Sequence, residues 1–305
     1  MQPIVNYFKD PSRIVLGFIK RTQFLYTDSF YLKMKYFIEM GIPLNLKNPV
    51  TYNEKIQWLK INDRNPEYTK LVDKVQVKDY VSEKIGAQYV IPTLGVWEHF
   101  DDIDFDKLPD KFVLKTNHSG GSTGVVICKD KKNFNKNEAR EKLNTSLAIN
   151  PYPQTKEWPY KNVPKRIFAE EYKEDSATGE LRDYKFFCFY GKVKFMFVGT
   201  ERQKKNTDVK FDFFDDNYNH LPIKQGHENA AVIPQKPRQF ELMKELAERI
   251  SKNIPHARID FYEADSKVYF GEVTFYHFSG MVPFEPEEWD YKFGDMLKLP
   301  SKRTK

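Results

Sequence analysis

A chain of 305 residues with 40% hydrophobic and 15% aromatic side chains can build the cores of two or three packed domains, which excludes a low-complexity or disordered chain. Its formal net charge of +6 is spread along the sequence, so it suits an anionic small ligand and points to no nucleic acid. Cys128 and Cys188 each lie in an apolar strand-like run and read as core residues of a reducing, cytosolic setting, while the apolar run 14–19 is too short to span a bilayer.

Residues 1–62 read as mostly helical: Gly41 stops "FYLKMKYFIEMG", and "NEKIQWLKIND" carries apolar residues at helical spacing. No glycine-rich strand–helix unit of a dinucleotide fold occurs there. "LVDKVQVKDYVSEKIG" (71–86) predicts one amphipathic helix ending at Gly86, and "YVIPTLGVWEHF" a strand and loop. "KFVLKTNHSGGSTGVVICKD" (111–130) predicts a hairpin whose loop of about eight residues exceeds the usual two to five. With Lys115 at its mouth, that loop reads as a cover for phosphate. A polar helix over 135–148 leads to the proline-rich "NPYPQTKEWPYKNVP", the best internal boundary on composition. From Lys165 the pattern is β ("RIFAEEY", "RDYKFFCFYGKVKFMFVGTER", "VKFDFFDD"), then a helix over 236–252 and the hairpin "HARIDFYEADSKVYFGEVTFYHF". The fold class is α+β, in units 1–70, 71–164 and 165–305. The basic tail "KLPSKRTK" reads as a frayed terminus, with weak membrane-surface association as the lesser reading.

The last hairpin carries the most chemistry. With Ala264-Asp265-Ser266 as a three-residue turn, Glu263 faces Lys267, and Arg258, Asp260, Glu272 and Thr274 share one face. Ile259, Phe261, Val273 and Phe275 then form the apolar face. Arg258 lies opposite Glu272, with Asp260 diagonal to it at about 7–8 Å between Cβ atoms. Two carboxylates so placed can reach one hard cation, whose oxygen ligands sit at about 2.0–2.1 Å. The plainer reading is a solvated strand face with an Arg–Glu pair.

In order over residues 71–285, "DKVQVKDY", "FVLKTNHSGGSTGVV", "FAEEY" and "ARIDFY…GEVTFYHFSGM" resemble the ATP-grasp superfamily, and within it the TupA-like branch found with bacterial surface-polysaccharide genes. The resemblance implies two α+β subdomains clamping ATP behind a helical N-terminal region, with Mg2+ as the metal. It implies that Lys78 and Lys115 contact the phosphates and that Ser119, Gly120, Gly121 and Ser122 fold over them with backbone N–H groups. Glu170, Glu171 and Tyr172 would form the hinge beside adenine, Asp183 would meet the ribose, and Lys185 would add a basic contact. Asp260 and Glu272 would hold magnesium. Thr274 stands where asparagine is usual and is a weaker ligand. Arg258 would stabilise charge on the reacting groups, and Arg202 is the choice for the acceptor carboxylate, with Lys204, Lys205 and Lys210 also favouring an acidic substrate.

The implied activity is a carboxylate–amine ligase working through an acyl phosphate, its carboxylate a uronic acid of a surface glycan or precursor, its amine an amino acid or amino alcohol. The alternative is a metal-dependent glycosyltransferase, supported by the Asp-x-Asp patterns in "FDDID" (100–104) and "FDFFDD" (211–216). A binding module without turnover is the third reading.

Overall fold

The computed structural model describes residues 11–176, 181–201 and 208–303, with the side chains of 11–13 left aside. The N-terminal region is helical as expected: α1 (Pro11–Arg21), α2 (Asp28–Met40) and α3 (Tyr52–Asn62). Thr27 starts α2 by accepting from Phe30 N at 3.3 Å, and Gly41 ends it at φ 75°, a left-handed position that glycine takes without strain. A reciprocal Thr51–Glu54 capping box starts α3.

The helix expected over 71–86 is broken into α4 (Glu67–Val72) and α5 (Val77–Ile85). Asp73 is the cause: its buried carboxylate accepts from Val75 N at 2.9 Å and Gln76 N at 3.3 Å and pairs with Arg166 at 2.7 Å. These local bonds compete with the helical ladder at that point.

Two antiparallel sheets follow. The smaller has β1 (Thr93–Trp97), β2 (Phe112–Thr116), β3 (Val125–Cys128) and β4 (Ile167–Glu171) in the order β1-β4-β2-β3. It is covered by α6 (Lys136–Ala148), with Phe112, Leu114, Leu143 and Ile167 fully buried in its core. The proline-rich link 150–164 is itself structured. It forms α7 (Tyr152–Thr155) and a 3-10 turn (Trp158–Asn162), and Gln154 O accepts from Tyr31 Oη at 3.0 Å and Lys35 Nζ at 3.1 Å. Lys156 pairs with Asp28 at 3.2 Å, so the link is strapped across the N-terminal helices.

The larger sheet contains β5 (Arg182–Phe189), β6 (Lys192–Thr200), β7 (Lys210–Asp215), β8 (His220–Leu221), β9 (Ala257–Ala264) and β10 (Lys267–Thr274), in the order β10-β9-β5-β6-β7-β8. Packed on the chain around it are α8 (Phe240–Ile250) and α9 (Glu288–Met296). Its core joins Phe186, Phe187, Phe195, Phe197 and Phe213 to Tyr52, Ile56 and Leu59 of α3 and to Val77 and Val81 of α5. The expected units therefore do not coincide with the sheets. Residues of α3 and α5 share the core of the larger sheet, and β4, expected in the last unit, hydrogen-bonds within the smaller one.

Candidate active site

The β9–β10 hairpin brings its polar residues together, through a register other than the expected one. The turn has two residues, Asp265 and Ser266, both at positive φ (49° and 61°), so Lys267 faces Ala264. Continued unbroken, that pairing would set Glu272 opposite the apolar Ile259. A bulge at Gly271 shifts the ladder by one residue, and beyond it Glu272 faces Asp260 and Thr274 faces Arg258. The expected faces are kept: Ile259, Phe261, Val273 and Phe275 are core residues.

Arg258 ties the polar face together. Its Nε and Nη2 donate to the two oxygens of Asp260, each at 2.7 Å, and Nη2 also reaches Glu272 Oε1 at 3.1 Å and Thr274 Oγ1 at 3.0 Å. One cationic nitrogen thus lies within bonding reach of both carboxylates. Neighbouring β5 adds Lys185, which pairs with Asp183 at 2.6 Å and also bonds Asp260. Burial alone would raise the Glu272 carboxyl; Lys74, Lys185 and Arg258 outweigh it and hold the group well below the usual carboxylate range. For Asp260, burial pushes the carboxyl up against the pull of Arg258 and Lys185.

Behind Arg258 stands His277, which the sequence places beside the hairpin without metal-like spacing and without a role. Arg258 Nη1 can only donate, so His277 Nδ1 accepts at 2.8 Å. Gln225 donates its amide N–H to Val282 O at 3.1 Å, leaving Oε1 to accept from His277 Nε2–H at 3.0 Å. Burial first, and Arg258 second, hold the ring well below its usual pKa. His277 is therefore a neutral Nε2–H tautomer that fixes the guanidinium.

On the smaller sheet, Lys115 and Lys78 converge on Glu170, at 2.5 and 2.7 Å. Burial raises the Glu170 carboxyl, but the two ammonium groups outweigh it and leave the group below its ordinary value. Lys78 also donates to Ile91 O at 2.9 Å and Thr93 Oγ1 at 2.7 Å. The loop after β2 is shaped by hydroxyls: Thr116 Oγ1 lies 2.7 Å from both Ser119 Oγ and Ser146 Oγ. A Cβ at Gly124 would fall 2.0 Å from that Thr116 oxygen, so only glycine fits. Gly121 takes φ 61°, and Gly120, Gly121 and Ser122 are exposed at the loop's crest.

Lys74 joins the two halves. Its Nζ donates to Ser119 O at 2.7 Å and pairs with Glu272 at 3.1 Å, linking the glycine-rich loop to the carboxylate hairpin. The sequence reading picks Lys78 from "DKVQVKDY" and passes over Lys74. The signal that marks it is Asp73, whose carboxylate breaks the helix there.

The profile of the TupA-like ATPgrasp family matches residues 54–298. The chain belongs to the TupA-like ATP-grasp family. Its fold is the ATP-grasp α+β fold, preceded by helices. Solved structures similar to it include the Bacillus anthracis D-alanine–D-alanine ligase with ATP (15% identity, 68% of this chain and 54% of that one, TM-score 0.38). Others are N5-carboxyaminoimidazole ribonucleotide synthetase with ADP (12%, 80% and 56%, TM-score 0.44) and Campylobacter jejuni biotin carboxylase (14%, 93% and 54%, TM-score 0.42). The chain spans little more than half the length of each. No curated protein matches it.

Not every expected residue of this ATP-grasp chain joins the cluster. Glu170 spends its carboxylate on the two lysines, Glu171 pairs with Lys173 at 2.7 Å, and Tyr172 donates to Glu174 at 2.7 Å. Arg202, Lys204 and Lys205 lie outside the described residues. His118 turns inward, its Nε2 3.1 Å from Ile149 O. The Asp-x-Asp stretches are dispersed: Asp101 pairs with Arg140, Asp104 with Lys107, and the fully buried Asp212 with His220. Among the described residues no three His, Cys, Asp or Glu side chains gather as a metal cluster. Magnesium needs only one or two carboxylates besides water and phosphate oxygens, so the donor set of Asp260 and Glu272 fits it.

Proposed function

We propose that this chain is an ATP-dependent carboxylate–amine ligase, with a uronic acid of a bacterial surface glycan or its precursor as acceptor and an amino acid or amino alcohol as the amine. The observation that carries the reading is Lys74, whose ammonium group spans the 2.7 and 3.1 Å contacts between Ser119 O and Glu272. Anionic phosphates entering beneath the loop would draw Lys74, Lys78 and Lys115 off Glu272 and Glu170 and onto phosphoryl oxygens. Asp260 and Glu272 would hold Mg2+, which supplies neutralising charge to the phosphates. Ser119–Ser122 close over the phosphates and exclude water.

A substrate carboxylate is a poor electrophile, which is why activation is needed. Its oxygen attacks the γ-phosphorus and ADP leaves; the amine then attacks the acyl carbon, loses a proton, and inorganic phosphate departs. Arg258, held by His277 and Thr274, stabilises the charge on the transferring group, and Lys185 assists it. Arg202 is assigned to the acceptor carboxylate, and Glu171, Tyr172 and Asp183 to the adenosine. The setting is cytosolic.

Hydroxylamine should trap the acyl phosphate as a hydroxamate when ATP, Mg2+ and a uronate-bearing sugar nucleotide or glycan are supplied together. A panel of uronates and acidic peptides that gives no hydroxamate, while UDP-sugars raise the melting temperature and ATP does not, would replace the ligase by a glycosyltransferase.

A further inference from the structure

The N-terminal helices expose an apolar surface that none of the described residues covers. Nine of the seventeen exposed large hydrophobic side chains among the described residues lie between Ile14 and Val50. Phe18 is 64% exposed, Phe24 79%, Leu25 66%, Phe30 49% and Phe37 57%. The helical period explains how they share one side. On α2, Phe30, Lys33 and Phe37 fall at i, i+3 and i+7, while Tyr31, Leu32, Lys35 and Tyr36 face inward. On α1, Ile14 and Phe18 point out while Ile19 is buried against the α2 core. A surface helix of a globular protein ordinarily presents polar residues there. Phe24 and Leu25 sit in the turn joining the two helices.

Basic residues rim this face, and the exposed acid of α2, Glu39, lies half a turn round the helix from Phe30. Arg21 and Lys33 are exposed on it and Lys20 is half-buried beside it. The acid at the head of α2, Asp28, is neutralised by Arg64 at 2.7 Å and Lys156 at 3.2 Å. The basic tail is fastened next to it: Arg64 N donates to Arg303 O at 2.8 Å, and Arg303 N to Asn62 O at 2.5 Å. The exposed Lys302 and Arg303 are thereby held against the residue that grips Asp28.

Aromatic and aliphatic side chains rimmed by lysine and arginine match the acyl boundary and the phosphates of an anionic lipid leaflet. We infer that the α1–α2 hairpin, with the basic tail beside it, is a docking surface for an anionic membrane, on which Phe18, Phe24, Leu25, Phe30 and Phe37 enter the headgroup layer. No helix among the described residues is long and apolar enough to cross a bilayer, so the attachment is peripheral. It is independent of the ligase reading.

The full chain, sedimented with vesicles of phosphatidylcholine alone or with about 30% phosphatidylglycerol, tests the inference. Binding is expected to the anionic vesicles and to fall at high salt. F24E/L25E should weaken it at least about tenfold with unchanged circular dichroism and melting temperature. K302Q should weaken it by about fivefold, the scale of one charge, whereas Arg303 already pairs with Asp63 at 3.9 Å. Absence from the anionic vesicle pellet, or a pellet that F24E/L25E leaves unchanged, overturns the inference. A dimer seen by light scattering that F24E/L25E dissolves, with no vesicle binding, would assign the face to a second copy of the chain.

Discussion

Lys115 and Lys78, both half-buried, and the buried Glu170 form a triad in which each charge depends on the others. Lys115→Ala should lower ATP affinity by about ten- to a hundredfold, the scale of a lost charge-assisted contact. It should also destabilise the fold by about 1–3 kcal/mol, because Glu170 is left buried with Lys78 alone. Adding Glu170→Gln should recover stability but not affinity. Calorimetric titration and urea unfolding separate the two effects, and unchanged ATP affinity in Lys115→Ala would remove this lysine from the phosphate site.

Asp290 offers a pH signature at the same scale. It accepts from Asn53 N at 2.9 Å and Nδ2 at 3.0 Å, and burial raises its carboxyl from 3.8 to about 6 against those bonds. A carboxyl raised on folding binds its proton first in the folded state, so stability rises as pH falls from about 6 towards 3.8, by on the order of 3 kcal/mol. Glu170 and Glu272, lowered from 4.5, act in the opposite sense and lose their contribution as pH drops through and below that value. Asp290→Asn should remove the Asp290 share of any gain between pH 7 and 5, leaving that of other raised acids such as Asp260, while keeping the acid loss. Urea midpoints across that range will show it.

At the scale of elements, the hairpin's chemistry depends on one bulge. Inserting one alanine after Gly271 would move each later residue on by one place and put Glu272 and Thr274 where Val273 and Phe275 belong. The variant is expected to form no hydroxamate. It should also be less stable than Phe261→Ala, which should lose about 3–5 kcal/mol because Phe261 is fully buried between Phe186 and Phe270. Full activity in the insertion variant would mean that the face of Asp260 and Glu272 is not the site.

Across the whole molecule, the N-terminal region holds the site from behind. Gln57 Nε2 donates to Ser279 O and Gly280 O, each at 2.8 Å, and Lys60 Nζ to Ser279 O and Oγ, each at 2.7 Å. The segment they grip follows His277 and has Phe278 and Ser279 at φ 47° and 56°, strained values for residues with a side chain. Ile56 packs against Gly280 and is fully buried. Ile56→Ala should destabilise by about 2–5 kcal/mol. It should do so in one transition that tryptophan fluorescence and far-ultraviolet circular dichroism report together, since α3 shares the larger sheet's core. A separate early loss of the N-terminal helices would contradict that coupling.

The sequence by itself determined what short-range physics controls. Alternation placed Arg258, Asp260, Glu272 and Thr274 on one face and Ile259, Phe261, Val273 and Phe275 on the other, because side chains in a strand alternate. Glycine and hydroxyl residues after Lys115 marked the loop, and the motif order marked the ATP-grasp family. Tertiary structure decided what depends on distant partners. The bulge at Gly271 follows from the need to keep an apolar face buried, and the break at Asp73 is supported by Arg166, 93 residues away. The Arg258–His277 contact joins residues 19 apart, and Lys74 bridges to Glu272 across the two sheets. No local period records contacts of that kind; they exist only once the sheets have closed around them.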